Sequence, residues 1–124
     1  MCYLRMKIRS YDGLRTMRHR LAEWLDEASV AEPASSALVL GAHEAVANGI
    51  RHSGSAEPVT LVALVEDGSL VIEVADHGSW TALEDGHPGL GLEMIRQAAR
   101  AVTIETADDG TTVRIVQPVE SPQS

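Results

Sequence analysis

The stretch Gly41–Ser53, which reads GAHEAVANGIRHS, decides how this chain folds. From the preceding turns onward, apolar residues recur at helical spacing and cover most of a helix circumference: Leu38, Val39, Ala42, Ala45, Val46 and Ile50. Pro33 is favoured in the first turn of a helix, and Ser53-Gly54 favours its end. We therefore predict a long, largely buried helix that begins near Pro33 and runs to about Arg51.

A polar stripe interrupts this apolar helix. Glu44, Asn48 and His52 follow one another at intervals of four residues, so a helix places them on one face. A carboxylate on a mostly buried helix is costly unless something pairs with it. A carboxylate and an amide oxygen one turn apart can face a hard cation or a polarised water. The same spacing also describes the solvent-facing side of an ordinary amphipathic helix, so the stripe alone does not decide between these interpretations.

Downstream of the helix, the periodicity changes to that of strands. Pro58–Glu66 and Leu70–Ala75 are rich in Val and Leu and are joined by Asp67-Gly68, which is a strong hairpin signal. A second hairpin is predicted for Ala101–Thr106 and Thr111–Gln117. Between the two hairpins we predict a long loop and a helix, which occupy Asp76–Gly91 and about Leu90–Arg100.

Upstream, the pattern predicts a strand and a second long helix. Cys2–Arg9 alternates in part and is predicted to be an edge strand. Ser10 or Asp12 is expected to cap the helix that follows over Leu14–Ala28. Trp24 is expected to anchor that helix in the core. An acidic patch is expected on its solvated surface and consists of Glu23, Asp26 and Glu27.

Helices and hairpins are thus segregated along the chain rather than alternating. This order predicts an α+β fold, a two-layer α/β sandwich in which a mixed, mostly antiparallel sheet carries helices on one face. Residues 1–118 are predicted to form a single domain, and residues 119–124 a disordered polar tail.

The charge balance, the cysteine count and the apolar runs of the chain disfavour several classes of function. Eighteen acidic residues face ten basic ones, giving a formal net charge of -8, which disfavours binding to nucleic acid or to anionic membranes. Cys2 is the only cysteine, which excludes an intramolecular disulfide and a thiolate metal site. The N-terminus lacks a signal-peptide pattern, and no apolar run approaches the length of a membrane span. We therefore expect a cytoplasmic protein.

Three further segments are candidates for ligand contacts. In Asp76-His77-Gly78, the carboxylate could accept a hydrogen bond from an exocyclic amine and the glycine could admit a flat ring, although a plain turn is the simpler explanation. The glycine-rich segment Gly86–Leu92 precedes a predicted helix, so its N–H groups could cradle phosphate, or it could be a flexible loop. Gly110-Thr111-Thr112 opens the last strand and means little alone.

Taken in order, these segments resemble the GHKL, or Bergerat-fold, family of ATP-binding domains, and most closely its anti-sigma factor serine kinase branch. His43–Gly54 resembles the family's N box, and Asp76-His77-Gly78 its first glycine box. Gly89-Leu90-Gly91-Leu92 resembles the second glycine box, and Gly110–Val113 matches the closing strand. Each motif is weak alone, but four in the correct order over Tyr11–Gln117 are fairly specific.

The resemblance implies a role for each matched residue. Glu44 is expected to be the general base, and Asn48 to ligate the Mg²⁺ that bridges the ATP phosphates. At the adenine end, contacts made directly or through water are expected from Asp76, Gly78 and either Thr111 or Thr112. A mobile lid around the phosphates is expected from Gly89, Leu90, Gly91 and Leu92.

The resemblance implies a protein-serine kinase that uses Mg-ATP, phosphorylates an anti-anti-sigma partner of the STAS type and sequesters a sigma factor. A homodimer is also compatible with the family. Trp80 stands where the first glycine box usually continues to another glycine, and Asp76–Gly89 leaves only a short lid. These departures favour an alternative function, a non-catalytic nucleotide- or protein-binding regulatory module of the same fold.

Overall fold

The computed structural model describes residues 3–53, 57–77, 101–107 and 110–118. These residues form five strands, two α-helices and one short 3-10 turn. The strands are β1 (Tyr3–Ile8), β2 (Val59–Glu66), β3 (Ser69–Asp76), β4 (Ala101–Ala107) and β5 (Gly110–Pro118). The helices are α1 (Leu14–Glu27), which follows the 3-10 turn Tyr11–Gly13, and α2 (Ala34–Ser53).

The five strands form one sheet in the order β1-β2-β3-β5-β4. Each neighbouring pair is antiparallel, so the described sheet is antiparallel throughout rather than mixed. Both predicted hairpins are confirmed, and β1 is an edge strand as predicted. In the tight turn between β2 and β3, Asp67 and Gly68 have φ angles of 53° and 76°, which are typical of an Asp-Gly hairpin turn.

The helices and one face of the sheet enclose a single aliphatic core. α2 packs against β3 at the middle of the sheet and touches β2 and β5, whereas α1 packs against α2 and the edge strand β1. Successive side chains of a strand point to opposite faces, so every second residue of the strands enters this core. The strand residues buried in it are Met6, Ile8, Val59, Leu61, Ala63, Leu70, Ile72, Val74, Val113 and Ile115. This arrangement confirms the predicted α+β sandwich.

The helix starts differ from the sequence-based expectation. Neither Ser10 nor Asp12 caps α1 with its side chain; the chain instead enters α1 through the 3-10 turn. At α2, the Glu32 carboxylate accepts hydrogen bonds from the backbone N–H of Ser36 at 2.8 Å and from its hydroxyl at 2.7 Å. These two bonds lower the pKa of Glu32. The N-terminus of α2 is therefore stabilised by the exposed carboxylate of Glu32, four residues before Ser36.

Several predictions fall outside the described part of the chain, namely the helix over Leu90–Arg100, most of the loop after Asp76 and the tail 119–124. Asp76 itself is the last residue of β3, so the strand runs one residue further than predicted. Neither described helix is long and apolar enough to cross a bilayer. Within the described ranges, no group of three His, Cys, Asp or Glu side chains is arranged to hold a metal ion.

Candidate functional site

The polar stripe of α2 is not a solvent face. Asn48 is only 5% exposed, and Glu44 is half-buried one turn earlier. Their neighbours Ala45 and Val46 are fully buried against the sheet. The helix therefore carries an amide and a carboxylate into a largely apolar layer, which is costly unless these groups have partners or ligands.

Gly49 brings α2 into close contact with the end of β3. A methyl group placed on Gly49 would lie 3.0 Å from Oδ2 of Asp76 and 3.0 Å from Cγ2 of Val59. These distances are tighter than nine in ten real Cβ contacts, so a side chain here would require its neighbours to shift by a few tenths of an ångström. As a result, the Asp76 carboxylate lies against the same turn of α2 that carries Asn48.

Asp76 and Thr111 are the buried polar pair at this end of the sheet. They are register partners on β3 and β5 and are 5% and 1% exposed. The start of β5 approaches Asp76 closely at Gly110. A Cβ atom there would lie 2.1 Å from the backbone oxygen of Asp76, so only a glycine fits. Thr111 follows the same alternation as the core residues of β5, so it shares the helix-facing side of the sheet with Asp76.

Thr112 lies on the other face of the sheet. It is the register partner of Ala75 and Glu105, one position out of phase with Asp76 and Thr111. The structure therefore brings Thr111 to Asp76 but does not bring Thr112 there. The sequence carried a signal for this choice that was not used, because Thr111 is in phase with the apolar Val113 and Ile115, whereas Thr112 is in phase with Arg114.

The amide oxygen of Asn48 already has a cationic neighbour. The Arg51 guanidinium donates a short hydrogen bond to Oδ1 of Asn48, and its Nε lies 3.3 Å from Nε2 of His52. An amide oxygen has two lone pairs, so it can accept this bond and still face a second electrophile. In the sequence, Arg51 lies near the predicted end of the helix, and no role was predicted for it. Its spacing of three from Asn48 was the available signal.

A second arginine contacts His43, the residue that precedes the predicted base in the sequence. Nη1 of Arg18, on α1, is 3.0 Å from Nδ1 of His43. Arginine can only donate, so Nδ1 must be the unprotonated acceptor of a neutral imidazole. Burial, and then the charge of Arg18, lower the pKa of His43, while neighbouring Glu44 opposes the shift. This contact between two helices was not predicted, since residues 25 positions apart give no local signal.

The described residues fit Mg²⁺ and ATP in chemical type. Magnesium prefers oxygen ligands and commonly takes one or two from the protein, with the rest from phosphates and water. The Asn48 amide oxygen can supply one such ligand, and Glu44 is one helical turn away. Asp76 offers a buried carboxylate that can accept a hydrogen bond from an amine. The glycine-box residues Gly78, Gly89, Leu90, Gly91 and Leu92 lie outside the described residues.

Solved structures of proteins from two bacteria share the fold of this chain. The RsbU and RsbW domains of Rv1364c from Mycobacterium tuberculosis match with a TM-score of 0.79 and 23% identity over 98% of this chain. The chain spans only 34% of that protein's length. The SiaB–SiaC complex from Pseudomonas aeruginosa matches with a TM-score of 0.67 and 15% identity, covering 91% of this chain and 88% of the matched chain.

Histidine kinases share the fold as well. The histidine kinase domain of the blue-light activated kinase EL346 from Erythrobacter litoralis matches with a TM-score of 0.57 and 19% identity, covering 86% of this chain and 61% of that chain. A sequence model of the histidine kinase-like ATPase domain matches residues 10–117, which is most of the chain and includes both α2 and the end of β3. This chain therefore belongs to the histidine kinase-like ATPase domain family.

Proposed function

We propose that this chain binds Mg-ATP between α2 and the ends of β3 and β5 and transfers the γ-phosphoryl group to a serine of a small protein partner. The observation that carries the proposal is the burial of Asn48 and Asp76 on neighbouring elements, joined through the close contact at Gly49. Two buried polar side chains at one place in an aliphatic core indicate a ligand site more readily than a structural need.

Each end of ATP has a partner in this arrangement. The Asp76 carboxylate would accept a hydrogen bond from the adenine amino group, with Thr111 beside it on β5. Asn48 would direct its amide oxygen towards the phosphate-bound metal. Magnesium, when bound, would neutralise phosphate charge and hold the phosphates in position. The glycines Gly78, Gly89 and Gly91 would complete the adenine and phosphate contacts, as the family resemblance implies.

Glu44 is the proposed base. It lies one turn before Asn48 and is half-buried, so it would meet a serine hydroxyl directed at the γ-phosphate. As the serine oxygen bonds to phosphorus, the bond from phosphorus to the bridging oxygen of ADP breaks and Glu44 accepts the hydroxyl proton. Phosphoryl transfer depends mainly on positioning and charge neutralisation, so one carboxylate and one metal-ligating amide suffice.

The partner we propose is an anti-anti-sigma domain of the STAS type, and the same chain would sequester a sigma factor. Support comes from the family resemblance and from two of the similar folds, an RsbW domain and a chain of the SiaB–SiaC complex. The second of these is a complex of two proteins, so the fold is compatible with protein partners. The chain's acidity is likewise compatible with a basic partner surface.

The kinase function is tested by following labelled phosphate from ATP to a serine-bearing STAS-domain protein. The Glu44→Gln variant should lose transfer by about 100-fold or more while its affinity for ATP stays close to that of the parent chain. Glu66→Gln, at an exposed glutamate on β2, is the matched control and should transfer normally. Transfer at the parental rate in Glu44→Gln would refute the assigned base.

A second candidate function is a non-catalytic binding module of the same fold. The contact between Arg51 and Asn48 favours it, because a guanidinium already occupies one lone pair of the proposed metal ligand. In that case Arg51 would replace the metal, and ATP would bind equally well with and without Mg²⁺. Calorimetric titration of ATP under both conditions separates the two functions.

A further inference from the structure

Basic residues are concentrated at the beginning of this chain. Residues 1–20 contain six basic residues and one acidic residue, which gives a formal charge of +5. Residues 21–124 contain four basic and seventeen acidic residues, which gives -13. The basic stretch includes β1 and the first half of α1. A strongly acidic chain therefore has one basic region in its sequence, and β1 lies in it.

The cations of β1 face away from the helices. Met6 and Ile8 are buried in the core, so alternation along the strand directs Arg5 and Lys7 to the opposite, outer face of the sheet. Arg9 continues this alternation just after the strand, and all three cations are exposed. Because successive members are two residues apart, they form a row about 13 Å long.

An open cavity of about 470 Å³ on this outer face is lined by Arg5, Lys7 and Arg9. Its wall is completed by the start of β2 and by His77, which directly follows β3. Among the described residues that line it, Glu57 is the one carboxylate, and its side chain is exposed. We call the row Arg5, Lys7 and Arg9 the outer basic surface.

Neighbouring strands do not neutralise the outer basic surface. On β2, the register partners of Arg5 and Lys7 are a valine and a threonine, which carry no charge. Glu73 lies one strand further along the row of Arg5, but its Oε2 atom pairs with Nη1 of Arg114 at 2.6 Å. Within the described sheet, neither Arg5 nor Lys7 is paired with a carboxylate, so both can meet an anionic ligand.

We propose that the outer basic surface binds an extended, acidic segment of a protein partner, whose carboxylates at alternate positions pair with Arg5, Lys7 and Arg9. Side chains on one side of an extended segment are also two residues apart, so their spacing of about 7 Å equals that of the cations. Each guanidinium can hold a carboxylate through two parallel hydrogen bonds, and the ammonium of Lys7 holds one as a point charge.

This docking surface is separate from the proposed ATP site. The outer basic surface lies on the face of the sheet opposite the helices, whereas Asn48 and Asp76 lie where α2 covers the sheet. Both sites can therefore be occupied at once, and docking of an acidic segment does not require phosphoryl transfer.

An acidic segment fits this surface better than other anions. The described lining residues are exposed or half-buried and include no helix N-terminus, so nothing encloses a small oxyanion. A single phosphate would also leave part of a row about 13 Å long without a partner. Nucleic acid extends well beyond the row and would meet the charge of -13 carried by residues 21–124.

The test measures fluorescence anisotropy of a labelled peptide in which glutamate and threonine alternate, without ATP. A peptide of the same composition with its glutamates in one block is the probe control. The alternating peptide should bind more tightly than the block peptide by roughly threefold or more, and added salt should weaken its binding.

Substitutions separate the outer basic surface from the other cations of the basic stretch. Arg5→Gln with Lys7→Gln should weaken binding of the alternating peptide by about tenfold. Arg15→Gln with Arg20→Gln is the matched control, because it removes the same charge from exposed positions on α1 and should bind like the parent chain. Circular dichroism checks that both variants are folded.

Amide chemical shifts of the parent chain, followed during the same titration, locate the peptide without any substitution. The changes should concentrate in β1, the start of β2 and His77. Shift changes centred on α1, equal affinities of the two double variants, or equal affinities of the two peptides would overturn the proposal. So would an alternating peptide that does not bind at submillimolar concentration. Tripolyphosphate or a single-stranded oligonucleotide that binds this surface more tightly than the peptide would assign it to a phosphate ligand instead.

Discussion

Polar side chains are buried at the centre of this molecule but exposed at its β1 edge. Where α2 meets β3 and β5, Asn48, Asp76 and Thr111 are almost fully buried. At the β1 edge, the charged side chains Arg5, Lys7 and Arg9 are exposed. Buried polar groups need fixed partners, so they define a precise site for a small ligand. Exposed charges stay hydrated, so each contributes little to the stability of the chain.

The largest effect is expected at Gly110. In Gly110→Ala, the new methyl group would lie 2.1 Å from the backbone oxygen of Asp76, so backbone atoms of β3 or β5 must move. We expect the free energy of unfolding to fall by about 3 kcal/mol, measured by urea denaturation. Gly13→Ala is the control, because its nearest neighbour is a side-chain methyl of Ile8 at 3.2 Å. Equal, small losses in the two variants would contradict the tight contact at Asp76.

Gly49→Ala tests whether an added methyl group raises or lowers the free energy of unfolding. Alanine in a helix interior is ordinarily favoured over glycine by about 1 kcal/mol. Here the methyl group would press on Asp76 and Val59, so we expect no gain in unfolding free energy and a loss of about 1 kcal/mol instead. ATP affinity should fall as well, since Asp76 must shift. A variant stabilised by the full helix propensity, with ATP binding intact, would show that α2 and β3 are not tightly apposed there.

Protonation of His43 is expected to make the free energy of unfolding depend on pH. Its pKa is lowered in the folded chain, so the unfolded chain binds more protons once the pH falls below the ordinary value of 6.5. The contribution of His43 to stability is complete above that pH and declines as the pH falls towards the folded pKa. Arg18→Met should raise the pKa of His43 in an NMR titration and reduce this decline. An unchanged His43 titration in that variant would contradict the contact with Arg18.

At the β1 edge, the smallest effects on folding are expected. Lys7→Ala on β1 and Glu23→Ala on the neighbouring helix α1 each remove an exposed charge, so unfolding free energies should change by less than about 0.5 kcal/mol. Urea denaturation measures this. Losses as large as that for Gly49→Ala would show that these exposed charges stabilise the fold, contrary to this expectation.

Much of the fold follows from local pattern. The Asp67-Gly68 turn, the Val-rich strands on either side and the apolar period of α2 each specify an element without reference to the rest of the chain. The side-chain cap of α1 was predicted wrongly, because a serine or aspartate before a helix signals a cap without showing whether its oxygen reaches the first N–H groups. The 3-10 turn directs the chain differently there.

The site was predicted less completely than the fold. Glu44 and Asn48 could be predicted as a pair because they share one helix face. Strand alternation in the sequence favours Thr111 over Thr112 as the core-facing residue, but the pairing of Thr111 with Asp76 needed the register of β5 on β3. Arg18 beside His43 joins two helices, and Gly49 against Asp76 joins a helix to a strand. Such contacts depend on how elements pack, and a single sequence does not encode that packing in any local spacing.

The most direct test of the central claim is calorimetric titration of ATP into the parent chain and Asn48→Ala, each with Mg²⁺ and with a chelator. If Asn48 holds the metal, the parent chain should bind ATP about tenfold more tightly with Mg²⁺, and Asn48→Ala should lose that gain while keeping its metal-free affinity. A Mg²⁺-dependent gain that persists undiminished in Asn48→Ala would contradict the assignment of this buried amide as the metal ligand.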